Sequence, residues 1–477
     1  MNQPPSARPP GTAAGLSYPL LLATVSLGTI IAPLNSTMIA VALPDIRGDF
    51  GAGHAEVTWL VSAYLIAMAV AQPLGGRVGD QLGRAKVFRL GLIAFLAFSL
   101  AAAVAPSFEM LVALRTAQAL VGAAVLPNGT AMLRETVPTQ RLGEASGLTG
   151  SAIGLSAAVG PLLGALLLGL GSWRALFLVN VPLVGAALLC LALLGFRDRP
   201  SAARADIDWP GALFLAGVLA SITLLLGDLR GQTEPVVLAA EATALVAFVA
   251  LFVYRQASSV LPLAEWRLFR RPSYAGATSY ILLSNLVMYT TLLCVPFFIK
   301  EVQGGSVGTA GLLVGTLSVL MSALAPVSGR LSDARGRRLP AMAGGLCQLV
   351  AAGMLLSGIA ANVSTAYLAA ALAVLGVGSG LGTGAASTAA IEAAPRELAG
   401  AASGTMSMMR YFGSIVGAGV LGGILNAGDA APGVGVFRAL FALLAVMASL
   451  ALLASTLIHT FVRETPIVRP VPEPARE

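Results

Sequence analysis

The sequence predicts an all-α polytopic membrane protein with fourteen transmembrane helices in two related halves. Of its 477 residues, 57% are hydrophobic and 11% are charged, whereas soluble globular domains carry about 25% charged residues. Apolar runs of about 20 residues, each long enough to cross a hydrocarbon core of about 30 Å, follow one another along the chain. A short glycine- and arginine-rich segment also occurs twice, once in each half of the sequence.

The apolar runs give the order of the predicted elements. They cover residues 17–43, 56–75, 86–105, 108–133, 142–169, 174–196, 209–227, 235–254, 273–299, 308–329, 339–361, 364–391, 399–426 and 435–462. Six spans therefore make up residues 17–200, two lie in a linker insertion at 201–265, and six follow in 266–463. The ends, residues 1–16 and 464–477, are rich in proline and polar residues and are predicted to be disordered tails.

The repeated segment has the pattern Gly-x3-Asp-x2-Gly-Arg, and each copy lies where one apolar run stops and the next begins. The first copy contains Asp80 and Arg84, and the second contains Asp333 and Arg337. A carboxylate at the membrane boundary stabilises a neighbouring helix N-terminus or pairs with an arginine. We expect these arginines to pair with the aspartates in loops that hold the two halves together on the cytoplasmic side. A plain structural role in a short turn is the alternative.

The distribution of basic residues predicts the orientation of the chain. With the amino terminus inside, about 22 of the 29 lysines and arginines fall in cytoplasmic segments and about five lie outside, the bias that orients membrane helices. The remaining two, Arg115 and Arg410, lie within spans. An even number of spans then places both termini on the cytoplasmic side of the cell membrane. The net charge of +7 is a topology signal and gives no reason to expect nucleic-acid binding.

Motifs along nearly the whole chain resemble the fourteen-helix drug:proton antiporter family of the major facilitator superfamily. Besides the repeated segment, the resemblance is carried by Ser36 to Ile46, Trp59, Tyr64, Pro73, Arg115 to Gln118, Gly160, Pro161, Gly164, Trp173, Asn180 to Pro182, Gly413 and Gly417. It implies a major facilitator fold of 6+2+6 helices around a central cavity that opens alternately to each side. It also implies a monomer in the lipid bilayer that exports amphiphilic small molecules, drugs and antibiotics among them, in exchange for protons.

The sequence departs from that family at Ser156 and Ala165, where glycine is usual, and at Asn35. Asn35 in the first span stands where the family commonly has an aspartate, and its depth matches that of Arg115 in the fourth span to within one helical turn, so the two are expected to face each other. Because asparagine cannot titrate, protons would be carried elsewhere, with Asp45, Glu301 and Glu392 as candidates. The missing negative charge also favours neutral or anionic substrates over cationic ones.

Further polar residues within the spans are expected to line the cavity, because a charge in the membrane is costly unless it is paired or faces water. These residues are Gln118, Asn285, Tyr289, Gln348 and Arg410. In the fifth span, Gly160 permits close helix approach and Pro161 permits a bend, which predicts a tight contact or hinge. Ordinary packing of small residues is the alternative for that span.

The sequence gives no sign of a cofactor, a metal site or an enzyme active site. Cys190, Cys294 and Cys347 lie inside spans without metal-ligand spacing, and no Gly-x4-Gly-Lys-Ser/Thr nucleotide loop is present. Two other functions stay open beside antiport. One is a lipid or metabolite exporter of the same fold that has no titrating residue at Asn35, and the other is a non-transporting membrane sensor.

Overall fold

Helices make up almost all of the chain that the computed structural model describes, which is residues 17–195, 208–228, 234–259, 263, 265–395, 398–425 and 433–459. The predicted tails, 1–16 and 464–477, lie outside these residues. The helices are α1 (Ser17–Phe50), α2 (His54–Leu82), α3 (Arg84–Ala103), α4 (Phe108–Gly122), α5 (Val125–Thr136), α6 (Thr139–Leu168), α7 (Ala175–Leu178), α8 (Asn180–Leu194), α9 (Trp209–Asp228), α10 (Pro235–Ser258), α11 (Pro272–Phe297), α12 (Val307–Arg335), α13 (Arg338–Gly358), α14 (Thr365–Ala393), α15 (Ala399–Leu425) and α16 (Val434–Thr456). A 3₁₀ turn, Trp266–Arg270, precedes α11, and a π turn, Phe298–Val302, follows it.

The described helices confirm the predicted fold class. Thirteen of the described spans are long and apolar enough to cross a membrane, with α4 and α5 forming one of them and α7 and α8 another. The helix α6 contributes the shorter apolar stretch Ala152–Leu168. This set fits an arrangement of six, two and six spans.

Two sequence expectations about element ends were wrong. The first helix continues through Pro44 to Phe50, beyond the predicted end at residue 43. The repeated segments are also mostly helical, since α2 and α12 run through Asp80 and Asp333 and end at the glycine that follows. Gly83 and Gly336 have φ angles of 99° and 83°, a region that favours glycine, and these residues make the turns.

The spans run between two faces of the molecule. We call the end that carries Gly83 and Gly336 the motif face, and the end that carries Gly51 and Gly304 the opposite face. Several helices start at the opposite face with a serine whose Oγ accepts a hydrogen bond from the backbone N–H three residues later, at 3.1–3.2 Å. These N-cap residues are Ser107, Ser306 and Ser364.

The linker helices lie beside the seam between the halves. Helix α9 packs against both α2 and α15, and α10 packs on α9. Phe248 of α10 covers Gly217 of α9, where an added Cβ would lie 2.3 Å from the ring. At the motif face, Arg255 Nε binds Asp208 Oδ1 at 2.7 Å and ties the two helices together. The two predicted linker spans are therefore packed elements and do not form a loose connection.

The two halves meet along three helix pairs: α6 with α12, α2 with α15, and α1 with α11. Small residues let the first pair approach closely, because a Cβ on Gly311 would lie 2.2 Å from Ala165 Cβ. Near the middle of the same pair, Ser322 Oγ donates a hydrogen bond to the Gly154 carbonyl at 2.7 Å. Helix α6 thus lies between its own half and the other half.

Candidate substrate and gating site

Arg115 lies inside the first half with 1% of its surface exposed. One guanidinium nitrogen donates to the Asn35 backbone carbonyl at 2.7 Å, and another donates to Gln118 Oε1 at 2.9 Å. The guanidinium carbon sits 4.3 Å from the centre of the Tyr64 ring, in cation–π geometry. Arg115 is therefore positioned by a carbonyl, an amide and an aromatic ring.

The Asn35 side chain points to a different partner. Its Nδ2 donates to Asn180 Oδ1 at 2.8 Å, and Asn180 Nδ2 donates back to Asn35 Oδ1 at 3.0 Å. The Asn180 amide also donates to Ser99 Oγ, which in turn donates to the Phe177 carbonyl, both at 2.8 Å. Asn35 and Arg115 therefore lie side by side as expected, but the contact is made by the Asn35 backbone carbonyl. The Asn35 side-chain amide instead joins a neutral hydrogen-bond network between α1, α3 and α8.

No described partner of Arg115 is a carboxylate. Its Nε has no hydrogen-bond partner, and neither does Nε2 of Gln118 one helical turn away. Burying a charge without a counter-ion costs several kcal/mol. The first half thus holds a desolvated cation with unused donors beside it.

A tyrosine of the second half contacts the first half beside Arg115. Tyr289 Oη donates to the Ser36 carbonyl of α1 at 3.1 Å, across the boundary between the halves. Because Arg115 binds the neighbouring Asn35 carbonyl, the guanidinium and the Tyr289 phenol lie on adjacent backbone carbonyls of α1. Tyr64 of the first half and Tyr289 of the second half therefore both lie close to the guanidinium.

The other predicted cavity residues of the second half are placed differently. Arg410 is half-buried, its Nη2 lies 3.3 Å from Ser387 Oγ, and its Nε has no partner. Asn285 is buried and donates to the Ile281 carbonyl of its own helix at 2.9 Å. Gln348 Nε2 donates to Ser284 Oγ at 2.6 Å and to Ser379 Oγ at 3.1 Å, so it bridges three helices within the bundle. Of these residues, Arg410 resembles Arg115 most, because both are arginines within spans whose Nε lacks a hydrogen-bond partner.

Ion pairs join the halves at the opposite face. Glu301, in the π turn after α11, binds Arg47 at 2.7 Å and His54 Nε2 at 2.9 Å. Its side chain is 8% exposed. The preceding Lys300 pairs with Asp45 of α1. Two of the three predicted proton candidates, Asp45 and Glu301, therefore belong to one cluster between the halves.

At the motif face, the described ion pairs of Arg84 and Arg337 lie within their own halves. Arg84 contacts Asp80 and also binds Glu135 through Nε at 3.0 Å. These described partners lie in the first half, so the sequence expectation that such pairs hold the two halves together is not realised in this structure.

Arg337 repeats this arrangement in the second half. It donates to Asp333 at 2.7 Å and makes two hydrogen bonds to Glu392, at 2.7 and 3.1 Å. The hydrogen bonds to Glu392, more than those to Asp333, raise the pKa of Arg337. The third proton candidate, Glu392, is thus held by an arginine of its own half.

Gly160 and Pro161 lie where α6 contacts two helices. A Cβ on Gly160 would lie 2.0 Å from Thr37 Oγ1 and 3.1 Å from the Leu34 carbonyl. The Pro161 carbonyl lies 3.2 Å from the Cβ position of Gly311 in the other half. The helix runs through the proline without interruption, so the pair forms a tight three-helix contact.

Sequence reasoning noted Asn180 and Tyr64 without giving either a role in the site, and it missed Ser99. The signal for Asn180 was a buried amide in an otherwise apolar run, close to the depth of Asn35. Nothing in the sequence distinguished Ser99 from other span serines. Within the described residues, no group of three His, Cys, Asp or Glu side chains could hold a metal ion.

Comparison with known proteins places this architecture among transporters. The family model of the Major Facilitator Superfamily matches residues 25–418 and also 281–477. The uncharacterized MFS-type transporter YvkA of Bacillus subtilis is 33% identical over 404 residues, covering 84% of this chain and 89% of that protein. The multidrug resistance protein Stp of Mycobacterium tuberculosis is 32% identical over 411 residues, covering 86% and 76%.

Two further proteins extend the comparison. The tetracenomycin C resistance and export protein of Streptomyces glaucescens is 31% identical over 424 residues, covering 88% of this chain and 78% of that protein. A crystal structure of a bacterial homolog of the human lysosomal transporter Spinster, inward-facing and unoccupied, has the same fold, with a TM-score of 0.65 at 16% identity and coverage of 94% and 98%.

Proposed function

The chain belongs to the Major Facilitator Superfamily, and from that premise we propose that it exports amphiphilic small molecules, drugs or antibiotics among them, by proton antiport with alternating access. Membership makes it a multi-pass membrane transporter and not an enzyme. Relatives named for multidrug resistance and for tetracenomycin C export favour this substrate class.

The observation that carries the proposal is the position of the contacts between the halves. They include Ser322 with Gly154 and Tyr289 with Ser36 near the middle of the membrane, and the Glu301 cluster at the opposite face. The ion pairs of Arg84 and Arg337 lie within their own halves. The described contacts thus join the two halves at the opposite face, whereas the ion pairs at the motif face lie within each half. One of the two states that alternating access requires would have this arrangement.

Glu301 is the proton site that this arrangement favours. Protonation would neutralise the carboxylate that Arg47 and His54 share, and would weaken the link between the halves at the opposite face. Asp45 acts beside it through Lys300. Glu392 instead pairs with Arg337 at the motif face, within the second half. In this account, protonation of Glu301 from the exterior weakens these ion pairs, and antiport requires the proton to leave towards the cytoplasm before they form again.

The proposed orientation follows the basic residues. The motif face is cytoplasmic, both termini lie inside, and the opposite face contacts the exterior of the cell membrane. We propose a monomer as the unit of transport, because both halves of the major facilitator fold belong to one chain.

A flux experiment tests the proposal. The purified protein is reconstituted into vesicles with an acidic lumen, and uptake of labelled cationic, neutral and anionic amphiphiles is followed together with luminal pH. We expect accumulation of at least one class with proton loss from the lumen, and loss of both signals when nigericin collapses the gradient. Arg115→Ala should insert normally and show no accumulation.

A second candidate function is favoured by the amide pair of Asn35 and Asn180, which leaves nothing to titrate at that position. It is a lipid or metabolite exporter of the same fold without proton coupling. Accumulation that nigericin does not change would support it over antiport. Absence of any movement across the panel would reject both and favour a membrane sensor.

A further inference from the structure

We propose that the substrate is an anionic aromatic compound, with a carboxylate or ionised phenol bound by Arg115 and its ring system held between Tyr64 and Tyr289. The inference rests on the proposed export function and specifies its substrate class.

The first argument is the missing counter-ion. Arg115 is 1% exposed, and its described partners are a backbone carbonyl, an amide oxygen and aromatic rings, all of them neutral. A carbonyl and an amide do not compensate a buried charge as a carboxylate does. A bound anion would supply the absent charge, and its binding energy would include the relief of that cost.

The second argument is the pair of donors without acceptors. Arg115 Nε and Gln118 Nε2 are buried and lack hydrogen-bond partners, and they lie three residues apart on one helix. Buried donors are normally satisfied, and two at one place indicate an acceptor that is absent from the free protein. An oxygen anion accepts from both, and an arginine binds a carboxylate in two-pronged geometry.

The third argument is the position of the acidic residues. Among the described residues of the two halves, the carboxylates discussed above lie towards the helix ends: Asp45 and Glu301 at the opposite face, Asp80, Asp333 and Glu392 at the motif face. At mid-membrane, Arg410 adds a second cation whose Nε is also unpartnered. Neither in-span arginine, Arg115 or Arg410, therefore has a described carboxylate partner, which favours an anion over a cation as the ligand.

Asn35 explains why the charge of Arg115 remains available. An aspartate at this position would place a carboxylate on the residue whose carbonyl Arg115 already binds. The asparagine instead satisfies its amide through Asn180 in a neutral pair. The aromatic preference follows from the surrounding rings, because Tyr64 already stacks on the guanidinium and the Tyr289 phenol comes from the other half.

The test uses three fluorescent ligands of one shape: anthracene-2-carboxylate, its primary amide, and 2-(aminomethyl)anthracene. Binding to the full-length detergent-solubilised protein is measured by fluorescence polarisation at pH 8, and vesicle flux is measured with the same three compounds. We expect the carboxylate to bind at least tenfold more tightly than the amide, and the amine to bind most weakly.

The variants assign this preference to Arg115. Arg115→Gln should bind carboxylate and amide equally, and Arg115→Lys should keep a reduced preference, because the charge remains but the two-pronged geometry is lost. Asn35→Asp, which hardly changes side-chain volume, should weaken carboxylate binding more than tenfold by pairing with Arg115. Asn35→Asp also serves as the test if Arg115→Gln fails to fold, as judged by gel filtration.

The outcomes separate this inference from the proposed function. Equal or tighter binding of the amide or the amine, no measurable binding of the carboxylate, or an unchanged preference in both Arg115→Gln and Asn35→Asp would overturn it. Gradient-driven flux of the amine or the amide without that of the carboxylate would also overturn it, while leaving export intact. Selective carboxylate binding without flux of any compound would support the inference and reject export.

Discussion

Arg115 donates a 2.7 Å hydrogen bond to the backbone carbonyl of Asn35, while the Asn35 side chain turns away to form a reciprocal amide pair with Asn180. Asn35 therefore binds two neighbours at once, Arg115 and Asn180. Its backbone orients the buried cation, and its side chain ties α1 to α8. This arrangement leaves Arg115 fixed in position but not neutralised.

The amide pair should be energetically coupled. Asn35→Ala and Asn180→Ala should each lower the free energy of unfolding, and the double variant should cost about 1–2 kcal/mol less than their sum, because interhelical hydrogen bonds in membranes contribute about 0.6–1.7 kcal/mol each. Denaturant titration in mixed micelles measures this. Strict additivity would show that the amides do not pair in the folded protein.

Removing the charge of Glu301 should uncouple transport from protons. Glu301→Gln keeps the shape of the side chain but ends its ion pairs with Arg47 and His54, so the halves should separate more readily at the opposite face. We expect exchange of substrate across the vesicle membrane to persist, while accumulation driven by a pH gradient falls at least tenfold.

The matched control for that variant is Glu234→Gln. Glu234 precedes α10 at the opposite face, is exposed, and makes no side-chain cap hydrogen bond. It should leave gradient-driven accumulation unchanged. Full accumulation in Glu301→Gln would remove this residue from the coupling mechanism and leave Asp45 and Glu392 as candidates.

The two acidic partners of Arg337 should contribute differently to the free energy of unfolding. Glu392 accepts two hydrogen bonds from Arg337 and is 31% exposed, whereas Asp333 is 76% exposed. Glu392→Gln should therefore lower the free energy of unfolding by about 1 kcal/mol, and Asp333→Asn by less than about 0.5 kcal/mol, since exposed pairs contribute little. The same denaturant titration compares them, and a larger loss in Asp333→Asn would contradict the structure.

The close approach of α6 and α1 should not tolerate a methyl group. A Cβ in Gly160→Ala would meet Thr37 Oγ1 at 2.0 Å and the Leu34 carbonyl at 3.1 Å, so we expect a loss of about 1–3 kcal/mol in stability together with slower flux. Gly185→Ala in α8 is the control, because nothing lies within 4 Å of its Cβ position. Equal thermal midpoints for the two variants would contradict the predicted contact.

The length of the apolar runs predicted the helices well because the membrane imposes one length scale on every span. The element ends were less predictable. The first span was predicted to end at residue 43, but α1 continues through Pro44 to Phe50, because a proline is tolerated where neighbouring helices support the backbone. The repeated segments read as loops because of their glycines, although only Gly83 and Gly336 adopt positive φ angles there.

The site was predicted in outline only. Depth matching brought Asn35 and Arg115 together, because rise per residue is fixed in a helix. It could not show which atoms of Asn35 face the guanidinium, since that depends on helix rotation. The pairing of Glu301 with His54 and Arg47 was equally hidden, because residues from opposite halves meet only through tertiary packing.

The measurement that most directly tests alternating access driven by protons is the distance between spin labels on the two halves. One pair, Val104→Cys with Asn362→Cys, reports the opposite face, and another, Leu82→Cys with Leu339→Cys, reports the motif face; all four positions are exposed, and the background lacks Cys190, Cys294 and Cys347. Introducing Glu301→Gln should lengthen the first distance and shorten the second. Unchanged distances, or two distances that change in the same direction, would contradict the account.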